Sequence, residues 1–177
     1  MGNFSIHVRT VTGLEAVLAD ELRALGAQNV VAKRRLVVCD GDREVLYRAN
    51  LWCRTAIRTL VPLATFDAPD EKALYEGLRR VAWTEWLGTY GTLAVDANVR
   101  SSFSTHSLFL AQLAKDAIVD TFRERTGRRP SVDLASPDLR VALSVCQNVA
   151  TVYADASGES LHKRGYRRKA GEAPISE

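Results

Sequence analysis

The most concentrated chemical signal in the sequence is the run Lys163-Arg164-Gly165-Tyr166-Arg167-Arg168-Lys169, five cations around one aromatic ring with no acid between them. Arginine and lysine neutralise phosphates, and a tyrosine among them can stack on a base or a ribose face, so the composition suits a nucleic-acid backbone. Such runs also occur in exposed linkers, and that reading stands beside the first. A second candidate is the loop Arg100-Ser101-Ser102-Phe103-Ser104-Thr105-His106. Arg100, Ser101, Ser102, Ser104 and His106 are phosphate donors, and the free N–H groups of a following helix would assist them. The competing reading is that Ser104 caps that helix and the others face water. Lys115 lies beside the polar stripe of the same helix and, alone, reads as a surface lysine. Arg54 and Arg58 fall between a helix and the strand after it, where pairing with a carboxylate across a domain contact competes with contact to RNA. Each phosphate neutralised adds about 0.7–0.9 to the salt slope, so several weak contacts matter together without reading a base sequence.

The search for a catalytic set is mostly negative. The three histidines, His7, His106 and His162, have no carboxylate at metal-ligand spacing. No glycine-rich loop follows a strand in a nucleotide-binding pattern, and no Walker lysine is present. The three cysteines, Cys39, Cys53 and Cys146, are odd in number and none is spaced for zinc. Cys53 and Cys146 lie in apolar patterns, which suggests core thiols in a reducing compartment. No N-terminal run has the signal-peptide pattern and no stretch of 18 apolar residues occurs. Net charge is only +3, but residues 123–129 hold Arg123, Arg125, Arg128 and Arg129 against Glu124. Clustered positive charge suits a phosphate backbone better than the total suggests.

These groups need a scaffold. Phe4, Ile6 and Val8 alternate with polar neighbours in a strand over 4–11. Thr12-Gly13-Leu14-Glu15 has the spacing of a capping box for a helix ended by Gly26. Short strands at 30–32 and 36–39 follow, then a helix capped by Asp42, then a strand over 57–63 whose Pro62 must sit at an edge or near its end. That order, β-α-β-β-α-β, is a ferredoxin-like half. Thr65 to Pro69 is a break, followed by a helix over 71–81. Trp83 and Trp86 sit three apart on a short helical turn, as packing residues or as a stacking platform. A strand over 92–99 leads to the polar loop. Leu110, Leu113, Ala114, Ala117, Ile118 and Phe122 then mark an amphipathic helix over 106–125, with Ser104 or Thr105 as its cap. Gly127 to Pro137 is a connection. Leu139 to Cys146 and Val149 to Asp155 alternate on either side of Gln147-Asn148, and Leu161 to Tyr166 suits a last short strand. A long helix with a hairpin to cover is half of a two-layer α/β domain.

Several blocks occur in an order that resembles a known family. They are Thr12-Gly13-Leu14-Glu15 with Leu18 and Glu21-Leu22, Leu51-Trp52-Cys53-Arg54-Thr55-Ala56, and Trp83-Thr84-Glu85. Lys115-Asp116-Ala117-Ile118-Val119-Asp120, Pro137-Asp138-Leu139-Arg140-Val141, and Asp155-Ala156-Ser157-Gly158 with Leu161-His162-Lys163-Arg164-Gly165-Tyr166-Arg167 follow. Together they resemble the N-terminal region of bacterial 23S rRNA guanine-N2 methyltransferases of the THUMP-containing class. The resemblance implies an α+β chain. A ferredoxin-like domain at 1–65 would pack with a THUMP RNA-binding domain at 66–157, and 158–177 would be a last strand and basic linker towards a methyltransferase domain.

In that family the catalytic domain has a Rossmann-like fold, uses S-adenosylmethionine and carries an Asn/Asp-Pro-Pro-Tyr/Phe motif. Neither that motif nor a cofactor loop occurs within these 177 residues. The expectation is a non-catalytic part of a larger enzyme, with no catalytic, metal-binding or cofactor-binding residues in this stretch. By the resemblance, the RNA surface spans the cleft between the two small domains. The residues expected on RNA are Arg100, Ser104, Lys115, Lys163, Arg164, Tyr166, Arg167 and Arg168, together with Arg54 and Arg58, which could stabilise a domain interface instead. The expected partners are structured RNA, 23S rRNA above all, and the chain's own methyltransferase domain. A cytoplasmic monomer with no membrane contact is expected. The alternatives are the RNA-binding part of a tRNA methyltransferase, a protein-interaction module built on Trp83 and Trp86, and a free-standing enzyme.

Overall fold

The computed structural model describes residues 2–163. They divide into two compact units, one formed by the chain up to Val61 with the segment from Ala156, the other by Pro62–Asp155.

The first unit contains β1 (Phe4–Thr10), α1 (Glu15–Ala24), β2 (Gln28–Lys33), β3 (Leu36–Gly41), α2 (Arg43–Trp52) and the first half of β4 (Ala56–Asp67). Its strands lie in the order β2-β3-β1-β4, every pair antiparallel. This is the ferredoxin-like arrangement that the β-α-β-β-α-β order predicts. Ile6 and Val8 of β1 and Val37 and Cys39 of β3 are buried with Leu18 and Leu22 of α1 and Val45, Leu46 and Ala49 of α2. Each large aliphatic side chain so removed from water contributes about 1.5–3 kcal/mol. The Asp42 carboxylate accepts from the Val45 N–H at 3.0 Å and caps α2 as expected.

The capping box at Thr12 does not form. Helix α1 starts after Leu14, with no side-chain cap. The Glu15 carboxylate instead accepts from the Gly13 N–H at 2.7 Å and the Arg35 N–H at 2.8 Å. These contacts, led by the Arg35 N–H, hold the Glu15 carboxyl below its usual range. Glu15 sits at the first helical position and cannot reach back to Thr12 in box geometry. It joins the start of α1 to the β2–β3 turn.

Strand β4 is longer than its pattern suggested. It runs twelve residues and absorbs the expected break at Thr65–Asp67. Pro62 lies in its middle, not near its end. The ladder from β4 to β1 reaches only Leu60, paired with His7, so no β1 partner requires the N–H that proline lacks. The chain passes into the second unit at the same point.

The second unit continues with α3 (Glu71–Arg79), a 3-10 turn (Trp83–Glu85), β5 (Thr92–Arg100), α4 (Ser107–Thr126), β6 (Ser131–Val132), β7 (Leu139–Cys146) and β8 (Val149–Asp155). The strand order is β4-β8-β7-β5-β6. Strands β5 and β7 are parallel, in register from Leu93↔Leu139 to Arg100↔Cys146, so β5, α4 and β7 form a crossover unit. β7 and β8 are the expected hairpin. Leu110, Ala114, Ala117, Ile118 and Phe122 of α4 are fully buried, and Ala111, Val119 and Thr121 widen its inward face beyond one stripe. Tyr75 of α3 donates its hydroxyl to Asp120 of α4 at 2.6 Å, and Arg79 pairs with Glu124 one turn along. β6 falls inside the stretch read as plain connection.

The two tryptophans part company. Trp83 is fully buried and its indole N–H donates to the Leu78 carbonyl at 2.8 Å, whereas Trp86 is exposed. Cys146 is exposed, which corrects its reading as a core thiol: it is the last residue of β7, on the alternation opposite Val145. Cys39 and Cys53 are buried, and burial pushes the Cys39 thiol up to about 11. No helix of the described residues is long and apolar enough to cross a membrane.

Candidate nucleic-acid interface

At one end of the second unit the last residue of β5, the loop into α4 and the β7–β8 turn come together. Arg100 belongs to β5, not to the loop, and its carbonyl accepts from the Gln147 N–H at 3.2 Å. Gln147 and Asn148 both have positive φ, 51° and 61°, the conformation of a tight hairpin turn. From there the Asn148 side-chain oxygen accepts from the Phe103 N–H at 2.8 Å, and its backbone carbonyl accepts from the Ala68 N–H at 2.6 Å. Asn148 thereby fixes the loop that carries Ser101, Ser102 and Ser104.

Within that loop the expected donors differ in availability. Arg100 is exposed and has no ion pair among the described residues. The Ser102 hydroxyl is buried, with no hydrogen-bond partner among the described residues. Ser104 does not cap α4. Its Oγ accepts from the His106 N–H at 3.1 Å, and His106 occupies the N-cap position with no side-chain bond. The serine lies two residues before the N-cap position, too early to reach the first turn's donors, and neither does Thr105 take that place. Lys115 is half-buried on α4 with its ammonium 2.7 Å from Asp116. Its charge is compensated locally, which weakens it as a phosphate contact.

In the first unit the segment after Ala156 runs along the start of β4. Ala156 N–H donates to the Thr59 carbonyl and Leu161 N–H to the Ile57 carbonyl, each at 2.9 Å. Arg58 reaches the Gly158 carbonyl at 3.5 Å. Lys163 is exposed, its N–H donating to the Ser160 carbonyl at 2.9 Å. That bond closes a turn over Leu161 to Lys163, where a last strand was expected to begin. The Ser160 hydroxyl and His162 Nδ1, 2.7 Å apart, belong to the same turn. Arg54 is exposed. Its backbone N–H, not its guanidinium, meets a carboxylate: Glu21 accepts from it and from the Thr55 N–H and hydroxyl. Arg164, Tyr166, Arg167 and Arg168, with the rest of the expected strand, lie outside the described residues. No group of three or more metal-ligating side chains occurs among the described residues.

A grouping that the sequence did not show lies elsewhere on the second unit. Thr89, Tyr90, Arg128, Arg129 and Ser131 line a cavity of about 290 Å3, with the Arg128 guanidinium 4.7 Å from the centre of the Tyr90 ring. Its only sequence signals were the paired glycines around Tyr90 and the basic cluster at 123–129, and nothing local linked them.

Comparison with known proteins agrees with both units. The RlmL ferredoxin-like domain model matches residues 5–60 and the THUMP domain model residues 68–155. A ribosomal RNA large subunit methyltransferase K/L from Syntrophotalea carbinolica is 48% identical over 165 residues, 93% of this chain and 23% of its own length. The chain is the ferredoxin-like and THUMP region of that K/L methyltransferase family. The K/L protein of Pseudomonas aeruginosa is 44% identical over 98% of the chain and 24% of its own length. A Listeria monocytogenes protein described as a predicted N6-adenine-specific DNA methylase has a solved structure with TM-score 0.86 at 28% identity, covering 99% of this chain and 46% of its own. The chain thus spans about a quarter of the length of the K/L relatives it matches. The residues matched to the THUMP domain include α3, β5, α4 and the β7–β8 hairpin.

Proposed function

We propose that this chain grips and positions structured RNA for an S-adenosylmethionine-dependent methyltransferase that modifies a guanine N2 in 23S rRNA, and that these residues are not themselves catalytic. The observation that carries the reading is the 48% identity, over 93% of the chain, with a protein named for ribosomal RNA large subunit methylation. Charge supports it. Arg100 in the second unit and Arg54 and Lys163 in the first are exposed cations with no carboxylate partner among the described residues. Such groups bind phosphate without first breaking an ion pair. A cytoplasmic location and a monomeric state belong to the same reading.

The methyl donor does not fit the pockets seen here. Its sulfonium is a cation, while the Tyr90 cavity is lined by Arg128 and Arg129 with no carboxylate. A second pocket of about 320 Å3 holds Arg79, Arg80 and Arg125, and its two acids, Glu76 and Glu124, already pair with Lys72 and Arg79.

The test is fluorescence anisotropy of the 177-residue chain with labelled 23S rRNA fragments across a salt series. Association that weakens with salt, at about 0.7–0.9 in slope per phosphate contacted, is expected. No association with any rRNA fragment at low salt would overturn the proposal, and preference for tRNA would move the substrate to the tRNA branch.

A further inference from the structure

Two turn tips meet at one end of the β5–β6 pair. Gly88 and Gly91 close a turn through a Gly91 N–H to Gly88 carbonyl bond of 2.9 Å, which pushes Thr89 and Tyr90 outwards. A Cβ on Gly91 would press on Leu87 Cδ1, so a larger residue there would force the buried Leu87 side chain to shift. On the other side α4 ends on Gly127 in the left-handed conformation, and Arg128 and Arg129 follow before Pro130 is buried. The parallel pairing of Thr92 with Ser131 brings the two tips together. Tyr90 is 81% exposed although Arg128 covers one face of its ring, so the other face is open. Neither Arg128 nor Arg129 has a carboxylate partner among the described residues.

We propose that this pocket seats one unpaired nucleotide of the bound RNA, its base stacked on the open face of Tyr90 and its phosphate held by Arg128 and Arg129. The inference rests on the RNA-binding reading above and assigns it a contact. An aromatic face beside two uncompensated guanidiniums matches a base joined to a phosphate, and the Thr89 and Ser131 hydroxyls suit a ribose. A base within a duplex cannot reach a side-chain face, so the nucleotide must be splayed out of its stack. The cavity is below the range of about 300–1,000 Å3 usual for small-molecule pockets, and it is shallow enough to leave Tyr90 in water. It therefore suits one part of a larger ligand.

The experiment compares a labelled RNA hairpin with an unpaired loop and a blunt RNA duplex, binding the 177-residue chain. Tyr90→Ala is expected to weaken hairpin binding about 5- to 30-fold and to leave duplex binding unchanged, with Tyr90→Phe close to the unsubstituted chain. Arg129→Gln should lower the salt slope for the hairpin by about 1. Unaltered hairpin affinity in Tyr90→Ala, with RNA binding intact, overturns the pocket assignment and leaves the RNA-binding reading standing. If the unsubstituted chain binds neither RNA, that reading fails and NMR decides the pocket. Amide shifts confined to residues 89–92 and 128–132 on adding guanosine monophosphate, but not inorganic phosphate, support it. Absence of such shifts overturns it.

Discussion

The side-chain oxygen of Asn148, at a hairpin tip, accepts from the backbone N–H of Phe103, 45 residues earlier, at 2.8 Å. One residue thus serves two purposes: its left-handed conformation turns the chain between β7 and β8, and its amide holds the loop that carries the serine donors. Replacing it separates the two. Asn148→Gly keeps the conformation and loses the contact, costing about 0.5–1.5 kcal/mol. Asn148→Ala loses both, costing about 1.5–3 kcal/mol. Urea denaturation reads the difference, and amide exchange at Phe103 should speed up in both variants. Unchanged exchange there would mean that the loop is held by other means.

Thr92 and Asp138 clasp the starts of β5 and β7. Asp138 accepts from the Thr92 N–H at 2.8 Å and from its hydroxyl at 3.0 Å, while the Asp138 N–H donates back to the Thr92 Oγ1. The Thr92 N–H, then its hydroxyl, hold the Asp138 carboxyl below its usual value of 3.8. A folded-state pKa below the unfolded one means that the unfolded chain binds the proton more readily. The clasp therefore stabilises fully above the unfolded value and is lost as pH falls through the folded one. Asp138→Asn should lower the urea midpoint at neutral pH and narrow its difference from the unsubstituted chain in acid. Equal midpoints at neutral pH would show that the clasp contributes nothing.

His7 shifts the opposite way in charge and the same way in pH. Burial first, then the nearby Lys33 charge, hold its imidazole below the usual 6.5. The unfolded chain protonates it first, so stability falls as pH drops below the unfolded value and on through the folded one. His7→Gln should flatten that part of the stability–pH profile. A profile unaltered by the substitution would contradict the assignment.

The tryptophans should separate in solution. Trp83→Phe removes the indole donor from the Leu78 carbonyl, which keeps only the longer bond from the Val81 N–H, and leaves a gap in a buried site, at a cost of about 1–3 kcal/mol. Trp86→Phe should change stability by less than about 0.5 kcal/mol, as surface substitutions usually do. Thermal denaturation measures both, and comparable losses would refute the contrast in burial.

Thiol chemistry gives a direct check on packing. Cys146 is exposed and Cys39 and Cys53 are buried, so a thiol reagent should modify one cysteine rapidly in the native chain and the other two only on unfolding. Mass spectrometry of the modified peptides identifies which. Rapid labelling of Cys39 would conflict with its burial and its raised pKa.

Much of the fold could be read from local order. The alternation of Leu139, Val141, Leu143 and Val145, and the helical spacing from Leu110 to Phe122, describe faces that a single element must bury, and those faces are buried. Cys146 stood on the opposite alternation from Val145 all along, and the pattern, read strictly, put it outside. The charged candidates were less legible. Arg100, Lys115 and Arg54 each bring one positive charge, yet Lys115 is neutralised by Asp116 and Arg54 contributes its backbone to Glu21 while its guanidinium stays in solvent. Spacing describes which residues are neighbours along an element and says little about which rotamer meets which acid.

What the sequence by itself determined is most of the series of elements, β6 and the far half of β4 excepted, and, through its ordered motifs, the family, because periodicity and motif are properties of neighbouring residues. Tertiary structure alone decided the contacts that give those elements a working surface. Glu15 capturing the Arg35 amide, Asn148 holding Phe103, and Tyr90 meeting Arg128 each join residues 20 to 45 positions apart. Hydrogen bonds and ring contacts act over a few ångströms, so only the folded chain, by closing those separations, selects which polar groups are satisfied internally and which remain for a ligand.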